Sequence, residues 1–114
     1  MKAISLKQPW ANLVASGQKT IETRTWSTTY RGPLLIVSSK SPPIAPAGFA
    51  LAVAELIDCR PMNKADEAKA RCKFYEGAFA LVLAHIRAIA PIPVRGAHRI
   101  FDVDISDSDL MFRS

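Results

Sequence analysis

Gly17-Gln18-Lys19-Thr20-Ile21-Glu22-Thr23-Arg24-Thr25-Trp26 is the stretch on which the reading of this chain turns. A glycine placed to stop a helix in a left-handed cap is followed by residues whose β-branched and aromatic content suits a strand from Ile21 to Trp26. Alternate side chains of an extended segment share a face, so Glu22, Arg24 and Trp26 fall together and Ile21 falls with Thr23. A carboxylate, a guanidinium and an indole then line one surface. Lys19 lies in the turn, where alternation does not fix its direction. The competing reading is a weak ion pair on a solvated strand, with Trp26 in the core. Against it stand the position of the cluster, where a helix gives way to a strand, and the further cations Arg31 and Lys40.

Working outward, Lys2 to Leu6 alternates as a first strand, and a short helix is expected from about Pro9 to Ser16. Trp10, Leu13 and Val14 form its core-facing stripe. Beyond the central stretch, Tyr30-Arg31-Gly32-Pro33 reads as a turn, and Leu34-Leu35-Ile36-Val37 as a strand buried on both faces. Three prolines make residues 41–48 a loop. Phe49 to Ile57 is a long apolar strand. Asn63 to Lys73 suits a surface helix capped by Asn63, in a segment ended by Gly77. Phe79 to Ile89 is a further strand, Pro91 to Gly96 a proline-punctuated connection, and Ile100 to Val103 a last strand. Several strands with few helices favour a small curled or closed antiparallel sheet, an α+β fold that is mainly β, in a single domain over residues 1–114.

Composition bounds the function. The chain is 49% apolar and 22% charged, which suits a globular domain, and no run of apolar residues is long enough for a membrane span. A strand-like start in place of a signal peptide leads to the expectation of a cytoplasmic protein. Cys59 and Cys72 are read as free thiols; with His85 and His98 they offer no close pair that would pre-assemble a zinc site, and no metal or cofactor is expected. Residues 1–101 carry a formal charge of +8 and residues 102–114 carry −3. A basic body favours a polyanionic partner such as nucleic acid or a phosphorylated small molecule, and gives no support to a protein-recruiting scaffold. The G-x-S-x-G, G-x-G-x-x-G and H-E-x-x-H signatures are absent, and Gly17-Gln18-Lys19-Thr20 lacks the glycines of a phosphate loop.

Three segments together resemble the ASCH domain, a family similar to the PUA domains of RNA-modifying proteins. They are Ser5-Leu6-Lys7-Gln8-Pro9-Trp10-Ala11, then the G-x-K-x-x-E-x-R element from Gly17 to Arg24 with Thr25 and Trp26, and Tyr30-Arg31-Gly32-Pro33-Leu34-Leu35-Ile36. Glu55 to Cys59 and Pro93 to Gly96 resemble later segments of the family. The resemblance implies a small PUA-like β-barrel with two or three short helices and a cleft where Lys19, Glu22 and Arg24 converge. It also implies RNA as the partner: some members bind it, some cut it, and one branch deacetylates N4-acetylcytidine. The chain departs from the pattern in a short 38–48 segment and in Ala80-Leu81, which stands where tryptophan is common.

Binding is the first expectation, of RNA or a nucleotide-like ligand. Lys7, Lys19, Arg24, Arg31, Lys40 and Arg95 would hold phosphates, and Trp26 would stack on a base. Hydrolysis of RNA, metal-assisted or by a general base, is second, with Lys19, Glu22 and Arg24 as the catalytic set: Glu22 could act as general base and the two cations stabilise charge on phosphorus. Amide hydrolysis is third, because the deacetylase branch resembles this chain but carries threonine at the position of Glu22.

Overall fold

The computed structural model describes residues 1–113. Its elements run in the order β1 (Lys2–Leu6), α1 (Trp10–Ala15), β2 (Ile21–Arg24), β3 (Gly32–Ser38), β4 (Phe49–Pro61), α2 (Glu67–Ala70), β5 (Phe79–Pro93) and β6 (Ile100–Asp102). Single 3-10 turns occur at Lys64–Asp66 and Asp107–Asp109. The strands form one sheet in the order β2-β5-β4-β3-β1-β6.

The run in β3 places the core on both sides of the sheet. Leu34 and Ile36 pack with Ile4, Leu6 and the α1 residues Ala11 and Val14. Leu35 and Val37 pack on the opposite face with Ala3, Ala50, Ile89, Val94 and Leu110. A strand covered twice has no use for polar alternation, which is why this one reads as continuous aliphatics. A third cluster joins Ile21 to Met62, Ala70, Ala78 and Ala80, and fastens α2 against β2.

Curvature comes from the two long central strands. β4 and β5 pair antiparallel with register shifts between Ala50 and Ala52, Val53 and Glu55, and Leu56 and Asp58. Extra residues of this kind bend a strand and increase its twist. The sheet curls into a half-barrel with few helices, the small mainly-β architecture expected.

Several details differ from the sequence reading. The sheet is mixed: β1 pairs parallel with β3 and antiparallel with β6. A parallel neighbour needs a crossover, and α1 with β2 supplies it. β5 continues through Pro91 and Pro93, with Ile92 opposite Ala50 and Pro93 opposite Phe49, because the strand reaches its proline-bearing end where the ladder is already irregular. β4 runs on to Pro61, while β2 stops at Arg24, short of Trp26. The surface helix expected over 63–73 is one 3-10 turn followed by the single turn of α2, which ends where Arg71 turns left-handed at φ 57°. Its predicted cap is present: Asn63 Oδ1 accepts from the Ala65 N–H at 2.9 Å, and Asp66 Oδ2 accepts from the Asn63 N–H at 3.0 Å.

Candidate functional site

Lys19 has its place because of how α1 ends. Gly17 adopts φ +80°, and the N–H groups of Gln18 and Lys19 both donate to the Leu13 carbonyl, at 2.9 and 3.0 Å. The chain then crosses to α2, where the Thr20 N–H donates to the Lys69 carbonyl at 3.0 Å. Lys19 is thereby carried inward and is only 1% exposed. Its Nζ donates to the Ala70 carbonyl, an orphan acceptor at the end of α2, and lies 3.4 Å from Glu22 Oε1. Glu22 Oε2 accepts from Arg24 Nε at 2.9 Å, and Arg24 Nη2 donates to the Ser5 carbonyl at 2.7 Å. The result is a continuous chain of contacts from α2 through Lys19, Glu22 and Arg24 to β1. Glu22 and Arg24 share one face of β2, as alternation predicts.

This chain forms part of the floor of a cleft of about 840 Å³. Of the residues expected at the site, Lys7, Lys19, Glu22, Arg24, Lys40 and Arg95 all line it. Lys7, Lys40 and Arg95 are exposed, and among the described residues none of the three is in an ion pair. Lys40 lies across Gly48, close enough that a Cβ there would fall 2.6 Å from its Cε.

Two expected residues stand elsewhere. Trp26 does not line the cleft; its ring packs against the first core cluster, with the guanidinium carbons of Arg24 and Arg99 at 5.8 and 5.5 Å from its centroid. Arg24 is thus within cation–π reach of the ring. Arg31 also lies outside the cleft, with Nη2 3.7 Å from Asp58 Oδ1 and Nη1 donating to the Thr28 and Tyr30 carbonyls.

Other wall residues escaped sequence reasoning. Trp10, expected in the apolar stripe of α1, is 38% exposed and lines the cleft, while Ala11 takes the buried place beside Val14. Tyr75 and His98 come from loops with no periodicity to read. Ser5 belongs to the segment that carried the resemblance, as does Gln8, which does not itself line the cleft. Gln8 is buried; its Nε2 donates to Ser38 Oγ at 3.0 Å and its Oε1 accepts from the Asn12 N–H at 3.1 Å, satisfying a free donor in the first turn of α1. Cys59 and Cys72 are free, and among the described residues no group of three or more His, Cys, Asp or Glu is placed to hold a metal ion. No helix is long and apolar enough to cross a membrane.

Comparison with known proteins agrees with this geometry at the level of family and fold. The ASCH domain family matches residues 4–93. No curated protein matches the sequence. The fold is similar to the crystal structure of ASCH from Zymomonas mobilis, with a TM-score of 0.72 and 17% identity over 95% of this chain and 89% of that one. Crystal structures of a Tyr-to-Phe variant and a Ser-to-Ala variant of that protein each give a TM-score of 0.67 at 16% identity over 90% of this chain. They cover 88% and 87% of their own chains respectively. With the central motif, the curled sheet and the family match in agreement, the chain belongs to the ASCH domain family.

Proposed function

We propose that the cleft binds RNA or a nucleotide-like ligand, with phosphates at its rim and a base held between its walls. The observation that carries this reading is the separation of charges. Lys19 and Arg24 spend donors on Glu22 and on backbone carbonyls, whereas Lys7, Lys40 and Arg95 surround the opening without an anionic partner among the described residues. Unpaired cations beside a cavity attract a polyanion, and Trp10 and Tyr75 on the walls provide aromatic faces for stacking. Trp26 and Arg31 are reached only by a strand that runs beyond the cleft. Single-stranded RNA titrated at several salt concentrations tests the proposal. Wild-type affinity is expected to fall with salt, and Lys40→Ala or Arg95→Ala to reduce the logarithmic slope by about 0.7 each. Salt-independent binding, or no binding, would refute it.

Hydrolysis of RNA is the second reading, favoured by the placement of Lys19, Glu22 and Arg24 in the cleft wall. Both Glu22 oxygens are engaged by cations, which suits charge organisation better than proton abstraction. Labelled RNA incubated with and without a chelator decides this point. Cleavage that persists in Glu22→Gln would remove the carboxylate from the mechanism. The N4-acetylcytidine amidohydrolase activity stays third, since Lys19 Nζ is committed to an acceptor on each of two sides.

A further inference from the structure

Among the described residues one buried side-chain polar atom has no hydrogen-bond partner. Ser5 Oγ is buried and makes no hydrogen bond among the described residues, although Ser5 lines the cleft. Alternation along β1 explains its direction: Ile4 and Leu6 face the α1 side, and Ser5 shares the other face with Ala3. A hydroxyl offers one donor and two acceptor positions, and burying it unpaired works against the fold. Such a group is worth retaining where a ligand completes it.

Its surroundings indicate what kind of ligand. The Ser5 carbonyl accepts from Arg24, which ties this residue of β1 to the chain of contacts through Glu22. At this depth Glu22 lies between Lys19 and Arg24, and both cations are already engaged with its carboxylate, while Lys7, Lys40 and Arg95 line the same cleft exposed and without an ion pair among the described residues. Space at the hydroxyl is set by Gly96, where an added Cβ would stand 3.0 Å from Ser5 Oγ. Resting on the nucleotide-binding reading above, we propose that Ser5 is a specificity-determining residue: its hydroxyl hydrogen-bonds an uncharged polar edge of a nucleoside inserted base or ribose first, and Gly96 keeps that approach open.

NMR titration of the four ribonucleosides and of inorganic phosphate into wild type, Ser5→Ala and Gly96→Ala, with urea unfolding of each, tests the assignment. At least one nucleoside is expected to bind wild type. Ser5→Ala should weaken it about five- to tenfold, the scale of one hydrogen bond, with an unfolding midpoint equal to or above wild type. Gly96→Ala, which keeps the hydroxyl but crowds it, should weaken the same nucleoside. Equal nucleoside binding by Ser5→Ala and wild type overturns the proposal, as does a loss of stability that accompanies the loss of affinity. A larger effect of Ser5→Ala on phosphate than on nucleoside overturns it as well. If wild type binds no nucleoside the assignment also fails, and RNA titration separates the cases: RNA still bound leaves the cleft reading standing, and RNA not bound removes both.

Discussion

The floor and the rim of the cleft hold the same kinds of side chain and use them in opposite ways. On the floor, Lys19, Glu22 and Arg24 engage one another and two backbone carbonyls, with Lys19 almost fully enclosed. At the rim, Lys7, Lys40 and Arg95 are exposed and in no ion pair among the described residues. Burying a charge demands a paired partner, whereas an exposed one costs little to leave unpaired. The motif that identifies the family is thus also a joint between β2, α2 and β1, and the cations with the greater freedom to contact a ligand come from less distinctive positions.

The largest expected effect comes from breaking the floor. Glu22→Ala strands the enclosed Lys19 ammonium with a single carbonyl acceptor and frees Arg24 Nε, and should cost about 3 kcal/mol in urea unfolding. A loss below about 1 kcal/mol would show that the floor is not cohesive. The next largest separates fold from ligand by acid. Asp66, 5% exposed, is held at a pKa of about 2 against an ordinary 3.8, chiefly by the hydrogen bonds it accepts from Arg60 Nη1 and Nη2 at 2.7 and 2.8 Å. A folded pKa below the unfolded one means the contribution is present above pH 4 and lost as pH falls towards 2. It amounts to at most about 2 kcal/mol, since Arg60 remains in contact with solvent. Asp66→Asn should flatten stability across that window and leave RNA affinity at neutral pH unchanged.

Gly48→Ala acts on the rim. Its left-handed φ of +82° disfavours a side chain, and the new Cβ would displace Lys40, so a loss of about 1 kcal/mol in stability should accompany weaker RNA binding at low salt. The smallest effect is expected from Arg31→Ala, an exposed partner of Asp58 away from the cleft: less than about 0.5 kcal/mol by thermal unfolding, with short-RNA affinity retained. A marked loss of binding there would move the interface off the cleft.

What was legible in the sequence follows from how local each feature is. Glu22 and Arg24 lie two apart on one strand, so alternation sufficed, and the Asn63 cap involves only the next three residues. Trp10 was misplaced because helical periodicity selects a face without saying whether a neighbouring segment covers it. Here the loops bearing Tyr75 and His98 leave a hollow instead. Pro91 and Pro93 argued for a break, yet the ladder tolerates them at an irregular end. The direction of Lys19 depends on the Ala70 carbonyl, which no spacing near residue 19 reveals.

The parallel pairing of β1 with β3 sets Leu6 beside Ser38, so the peptide leaves both strands on the same side, towards Lys7 and Lys40. The Gly48 N–H donates to the Ser38 carbonyl at 2.7 Å, closing residues 39–47 into a loop with a fixed neck. Length or composition beyond that neck can change while the ladder beneath it stays in register. Exchange of this loop is accordingly a route to altering which ligands reach the opening without rebuilding what lies below.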